Sequence, residues 1–520
     1  LLSNQMRAGA AGAAGGGGGF YTHQIANSVR IPATSSTSSS NGRLTKTFGT
    51  VDSSVHWTLN FWIKRSALGG TNPVGGVRPL DIFTPRSGTS GSVLNEMFFG
   101  ASASYGAGDA FVITNTNTGA YVLSTDNLFR DTSAWYNFHI QADLDNGTAS
   151  ERIKIFVNGT EVSYNVDNRG SFTSLAGFTA GAWTIGDYYG YGYPIQSYLA
   201  AWAYVDGYTH PPTDFAESKN GVWIPKDLSS GITWGSAGHL LDFADASALG
   251  NDVSGNNNDW AVANIATHDQ MLDSPTFNSD SNGGNFATLN PVSQQAGSTE
   301  NKATSLSEGN LFQALVAAGS GATATMGFNS TSGGKWYWEV GITNYLVGIM
   351  PGITNDLFNT DAELGYNSPS SPTGADQCGY YIENGKVSQA GTGDGNNFTS
   401  YGSAAGAGDV IGVALDVDNG KIWFSINGTF QNSGNPATGA NAARGAGGTI
   451  TTAFDFSRDW FPVAGNWSAS AATGITWNFG QDGTFAGTET AGGNADDTGY
   501  GNFFTAPPTG FLALCTGNLP

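Results

Sequence analysis

The chain has 520 residues, enough for about two to four domains of ordinary size. Its 75 glycines have no three-residue period, which excludes collagen, and 14 Trp, 30 Phe and 19 Tyr are too many aromatics for a disordered chain. A formal net charge of −21 repels phosphate backbones and argues against nucleic-acid binding; it reads first as solubility and second as calcium-linked stability, because hard cations need clustered oxygens.

Residues 1–27 form an Ala/Gly-rich leader with the composition of a flexible linker. It lacks the basic and long apolar regions of a signal peptide, so export by that route is not expected. A poly-Gly run is held in place only by neighbours, so the leader is expected to be a docking arm, with Arg7, Gly15, Gly17 and Phe20 as its contacts. No apolar run is long enough to span a bilayer, so no membrane insertion is expected.

Residues 28–213 read as a first antiparallel sandwich. "HWTLNFWIKRS" sets Trp57, Leu59, Phe61 and Ile63 against Thr58, Asn60, Trp62 and Lys64 with period two. "NEMFFGAS", "DAFVITNT" and "AYVLST" add strands, and "YLAAWAYVDGY" closes the set before Pro211-Pro212. Residues 214–300 are rich in Asp, Asn, Ser and Gly with scattered apolar anchors, and are expected to be an irregular connector. Residues 301–520 read as a second sandwich, from "GKWYWEVGI", "YLVGIM", "CGYYIENGKV", "DVIGVALDVD", "KIWFSI" and "GITWNFGQ".

One meander is written twice. "ALDVDNGKIWFSINGTF" starts at Ala414, and "ADLDNGTASERIKIFVNGTEV" starts at Ala142. Each is strand, Asn-Gly, strand, Asn-Gly, strand, and Asn-Gly favours the type I′ turn, whose two central residues both need φ > 0. Ile153, Ile155 and Val157 share one face, as do Ile422, Phe424 and Ile426. Asp143 with Asp145, and Asp416 with Asp418, sit at the strand ends. They can cap the turn backbone or gather calcium, and capping is the simpler reading.

The chemistry-bearing patterns are sparse. The two cysteines, Cys378 and Cys515, make no disulfide framework. The six histidines are scattered and form no zinc motif. No Gly-x-Ser-x-Gly elbow or phosphate loop is present, and no strand carries an alternating Glu-x-Asp-x-x-Glu run. Glu339 stands alone in "YWEVG" and reads as structural. An enzyme is therefore not expected, and no catalytic residue, metal ligand or cofactor is assigned. "GDYYGYGYP" places Tyr188, Tyr189, Tyr191 and Tyr193 among glycines; such rings can stack on a sugar or fill a subunit contact. Trp336, Trp338, Trp423 and Trp477 lie in strands and are expected to pack inside.

"GKWYWEVGI", "GDVIGVALDVDNGKIWFSINGTF", "FPVAG" and "ITWNFGQ" occur in the order that makes residues 301–520 resemble a SPRY domain, a concanavalin-like β-sandwich. The resemblance implies a binding module whose ligand surface is built from loops at one edge, without catalysis. "WTLNFWIKR", "WYNFHIQAD", "KIFVNGTEV" and "WTIGD" make residues 28–213 resemble a laminin-G-like lectin domain. With "LDFAD", "SGNNNDW" and "PPTGFLALCTGNLP", the whole arrangement resembles structural proteins of marine tailed bacteriophages. The fold class expected is all-β, two concanavalin-like antiparallel sandwiches (jelly-roll type). What the resemblance implies is a protein of the virion surface, a tail-fibre adhesin or a capsid decoration, in homo-oligomeric form. Its arm would meet other virion proteins, and its loops a host glycan or protein. A glycan-degrading depolymerase and a secreted cellular adhesin are the alternatives.

Overall fold

In the computed structural model of the chain, the described residues are 20–33, 41–69, 79–87, 94–100, 108–115, 120–188, 192–277, 282–293, 305–315, 320–344, 348–355, 376–389, 398–466 and 473–519. They fall into two compact units, one ending at Phe277 and joined by Ser307–Gly309, the other holding the remainder from residue 282 on. Both are built from antiparallel sheets with short 3-10 turns, and no α-helix occurs among the described residues.

The first unit packs two sheets face to face. One runs in the order Thr160–Glu161, Ile153–Val157, Trp135–Asp143, His56–Arg65, Ser197–Asp206, Ser28–Arg30, Gln270–Met271. The other runs Tyr164–Asp167, Ala120–Leu128, Ala110–Asn115, Asn95–Phe99, Leu80–Thr84, Gly181–Ile185, Arg43–Phe48, Ala261–Ala263. Rings cross between the sheets, as with Phe83 and Trp202 at 5.3 Å and Phe99 and Phe138 at 5.8 Å. Trp57, Leu59, Phe61 and Ile63 all lie in this core, as their period-two spacing requires.

The second unit repeats the path. Its first sheet runs Ser305–Ser307, Phe312–Leu315, Thr473–Asn478, Lys335–Asn344, Val410–Asp416, Lys421–Ile426, Thr429–Phe430. Its second runs Ser320–Thr323, Phe461–Asn466, Ile349–Thr354, Gln377–Tyr381, Lys386–Gln389, Phe398–Ser400. In the first sheet Lys335–Asn344 answers to His56–Arg65 and its neighbours correspond outward, while the second sheets differ, with eight strands in the first unit and six in the second. The likeness extends to single hydrogen bonds. Asn158 and Gly159 have φ of 49° and 78°, Asn427 and Gly428 of 48° and 80°. The Asn158 side-chain oxygen accepts from Asn137 N at 2.8 Å, and that of Asn427 accepts from Val410 N at 2.8 Å. Trp336, Trp338 and Trp477 lie in the core. Trp423 is buried on the opposite face, where its indole donates to Ala440 O.

The segment 214–300, expected as an irregular connector, is divided instead. Up to Phe277 it belongs to the first unit. Its spaced anchors are the reason: Phe215, Leu228 and Leu240 pack on Ala203 and Val205, while Ala216 and Met271 pack on Trp62, Trp135 and Tyr198. The outer face of the His56–Arg65 strand is thereby buried too. Lys64 Nζ donates to Asp273 at 2.6 Å, and Trp135 Nε1 donates to its other oxygen at 2.9 Å. Burial pulls the Lys64 amine down, and the Asp273 charge opposes that shift.

The second unit covers the matching face with its C-terminal segment. Glu339 is buried and accepts from Phe504 N, Thr505 N, the Thr505 hydroxyl and Asn478 Nδ2 at 2.8–3.0 Å. It is structural, as its lone position in the sequence suggests. Removing either carboxylate strands buried donors. Asp273→Ala is expected to destabilise the first unit, and Glu339→Ala the second, each by about 3 kcal/mol or more. Urea unfolding with a probe for each unit checks this: each substitution should shift its own unit's transition and leave the other in place.

Candidate functional site

The Gly186–Pro194 loop is pinned at its neck. Gly186 N donates to Ile82 O, and Ile195 N to Gly186 O, both at 2.9 Å. Gly186 holds φ of 92°, where a side chain is strained, and a Cβ there would meet Ile31 at 3.0 Å. Tyr193 N donates to the Asp187 carboxylate at 2.7 Å, and Tyr193 O accepts from Asp81 N at 3.1 Å. The rings of Tyr188 and Tyr193 are half-buried and meet edge to face at 5.4 Å. Tyr189 and Tyr191 lie outside the described residues, as do Arg7, Gly15 and Gly17 of the leader. Phe20 packs within its own unit: its ring stands edge-on to Tyr21 at 5.1 Å, and its carbonyl accepts from Lys219 Nζ at 2.5 Å. Of the loops expected at the edge of the second sandwich, 356–375 and 390–397 also lie outside the described residues.

Beneath the tyrosine loop lie three acids that the sequence did not single out. Asp81 is fully buried, and burial pushes its carboxyl well above the ordinary range, with the charges of Glu96 and Asp187 adding to the shift. Burial pushes Glu96 up to about 7, against a hydrogen bond from the Thr114 hydroxyl at 3.0 Å. Burial also raises Asp187, against backbone N–H donors and the Arg43 charge. No local pattern marks this group, because the residues come from two strands and a loop.

The duplicated meander ends differ in their basic residue. His56 pairs opposite Asp143 in the ladder, and Lys335 opposite Asp416. His56 Nε2 lies 2.9 Å from Asp145 and 3.2 Å from Asp143. Among the described residues, these three form the only His/Cys/Asp/Glu trio whose ligand atoms lie within 4.8 Å of one another. Lys335 Nζ lies 3.3 Å from Asp416, whose oxygens accept from Asn419 N and Nδ2. Asp418 accepts from Gly334 N at 2.9 Å. The second pair thus caps its turn, and the first holds both a cap, through Asn146, and an imidazole.

The buried imidazoles of His139 and His239 are pushed down to about 4 by burial, so they are neutral at neutral pH. Burial pushes the Cys378 thiol up to about 12, so it is no nucleophile there.

These groups pull stability in opposite directions with pH. An acid raised in the folded state, such as Glu96, stabilises it below the ordinary value and loses that contribution as pH rises from about 4.5 to about 7. The two histidines do the reverse. Comparison with Glu96→Gln isolates the acid: in metal-free buffer the wild type should lose stability relative to the variant, on the order of 2 kcal/mol, between about pH 5 and pH 7.5. Thermal melts of both proteins across that range check it, and parallel curves would contradict it.

Residues 335–465 match the model of the SPRY domain family. Among solved structures, the chain is similar to the SPRY domain of human HERC1, at 14% identity over 36% of this chain and 96% of that one, with a TM-score of 0.23. It is also similar to a human SPRY domain, at 18% identity over 32% and 90% of the two chains, TM-score 0.22. A third is the heptameric SAP-like pentraxin of Limulus polyphemus, at 15% identity over 35% and 77%, TM-score 0.25. A search of curated proteins found no match.

Proposed function

We propose that this protein is a structural component of a tailed-bacteriophage virion, whose two β-sandwiches present loops for host attachment or for contact with neighbouring subunits. The observation that carries the reading is the SPRY domain within a chain that repeats one sandwich topology twice. SPRY resemblance implies binding rather than catalysis, and a rigid sandwich suits the display of changeable loops. The laminin-G-like resemblance of residues 28–213 and the motif order along the chain support the virion assignment. Glu339 is saturated by structural hydrogen bonds and two of the histidines are held neutral, which favours binding over hydrolysis. Many copies on one particle would convert weak single contacts into firm attachment.

The test is immunogold labelling of purified particles with an antibody to residues 301–520. Label at the tail supports the adhesin form, and label over the shell supports a capsid decoration. Particles without label, and without the protein by mass spectrometry, overturn the reading. If the tyrosine loop is the attachment surface, the double variant Tyr189→Ala/Tyr191→Ala should lose at least about tenfold in binding to host cells, the scale of one or two aromatic contacts. Loss of host polysaccharide on incubation with the pure protein would favour a depolymerase instead.

A further inference from the structure

We propose that Asp81, Asp187 and Thr84 form a calcium site beneath the Gly186–Pro194 loop, with Glu96 as an outer charge. The starting observation is a set of buried oxygens with nothing to bind. Asp81 is wholly buried, and neither of its carboxylate oxygens has a hydrogen-bond partner. The second oxygen of Asp187 and the hydroxyl of Thr84 are buried without partners as well. The Thr84 hydroxyl lies close enough to Asp81 to oppose its shift, though not in good hydrogen-bond geometry, and the charges acting on Asp81, those of Glu96 and Asp187, are both negative. A buried carboxylate without a donor or a counter-charge is costly, so something must compensate it.

The backbone aims these oxygens at one place. The ladder between Leu80–Thr84 and Asn95–Phe99 slips between Asp81 and Phe83, and the irregularity turns Asp81 and Thr84 to the same outer face. Gly186 N on Ile82 O carries the following residue, Asp187, alongside Asp81. Pro194 bridges Asp81 from the other end of the loop.

A proton could neutralise Asp81, but one proton cannot answer both Asp81 oxygens and the second Asp187 oxygen. A divalent cation answers several oxygens at once. The donors are all oxygen, which selects a hard cation. Their irregular placement suits calcium, which accepts six to eight ligands with water completing the shell, over magnesium, which demands an octahedron. Bound there, the ion would tie the strand start at Asp81 to the base of the loop that carries Tyr188 and Tyr193. The site stands independently of the virion reading.

The experiment is a thermal melt of the full chain in chelator-treated buffer, titrated with calcium chloride and, separately, magnesium chloride. Calcium at about a hundredfold excess over its Kd should raise the first unit's Tm by roughly 5–10 °C. Magnesium should do far less. Asp81→Asn keeps the shape and removes the charge, and should abolish the response. Asp187→Asn should do the same and serves if the first variant fails to fold. Glu96→Gln should weaken the apparent affinity several-fold. The calcium response should also grow as pH rises, because the ion competes with protons for these acids. No response up to about 10 mM calcium, weaker than the loosest protein calcium modules, overturns the proposal. So does an equal response to magnesium. A response that survives Asp81→Asn and Asp187→Asn but vanishes in Asp143→Asn would put the ion at the His56 trio and overturn this site.

Discussion

Both units depend on a two-residue turn. Asn158-Gly159 and Asn427-Gly428 sit at positive φ, a conformation that Asn tolerates and Gly adopts freely. That turn sets the register of a meander, and in a strand the register decides everything else. A slip of one residue would carry Ile153 and Ile155, or Ile422 and Phe424, out of the core and put their polar neighbours in. The Asn side chain adds a second lock by accepting from the backbone N–H of the preceding strand. The same device in both copies accounts for the matching strand order of two sheets whose sequences otherwise differ widely.

The register also explains how each unit treats its outer face. The long central strand puts alternate residues outside the core: Lys64 in the first unit and Glu339 in the second. Both are ionisable and both are buried, because chain from elsewhere lies over them. The first is answered by Asp273, the second by the backbone of Phe504 and Thr505. An ion-paired lid and a hydrogen-bonded lid solve the same problem. In each, the covering segment is irregular chain that could not stand as a domain alone but is fixed by a few polar anchors and spaced apolar contacts.

Where the two copies diverge, the difference falls on charged residues at sheet margins. Lys335 closes one meander end with an amine, while His56 closes the other with an imidazole. Beneath the tyrosine loop the first unit gathers Asp81, Glu96 and Asp187. A core position tolerates few changes without loss of packing, whereas a margin can take up new chemistry at little cost to the fold.

Much of the fold was legible in the residues. Alternation in "HWTLNFWIKR" and "KIWFSI", with Asn-Gly after each meander strand, determined the all-β class, the register and the presence of two copies, because period two and turn geometry are local properties of the chain. The strand tryptophans were legible as buried for the same reason. Local reading failed for residues 214–277, whose Asp and Asn content hid widely spaced anchors that matter only once a sheet exists to receive them. It failed also for Asp81, Glu96 and Asp187. Two lie on neighbouring strands and the third on a loop, and only the strand pairing, together with the closure of the Gly186–Pro194 loop, brings Glu96 and Asp187 near enough to act on Asp81. Spacing along a chain carries local geometry; convergence across a sheet is set by non-local pairing, and that was decided by the tertiary structure alone.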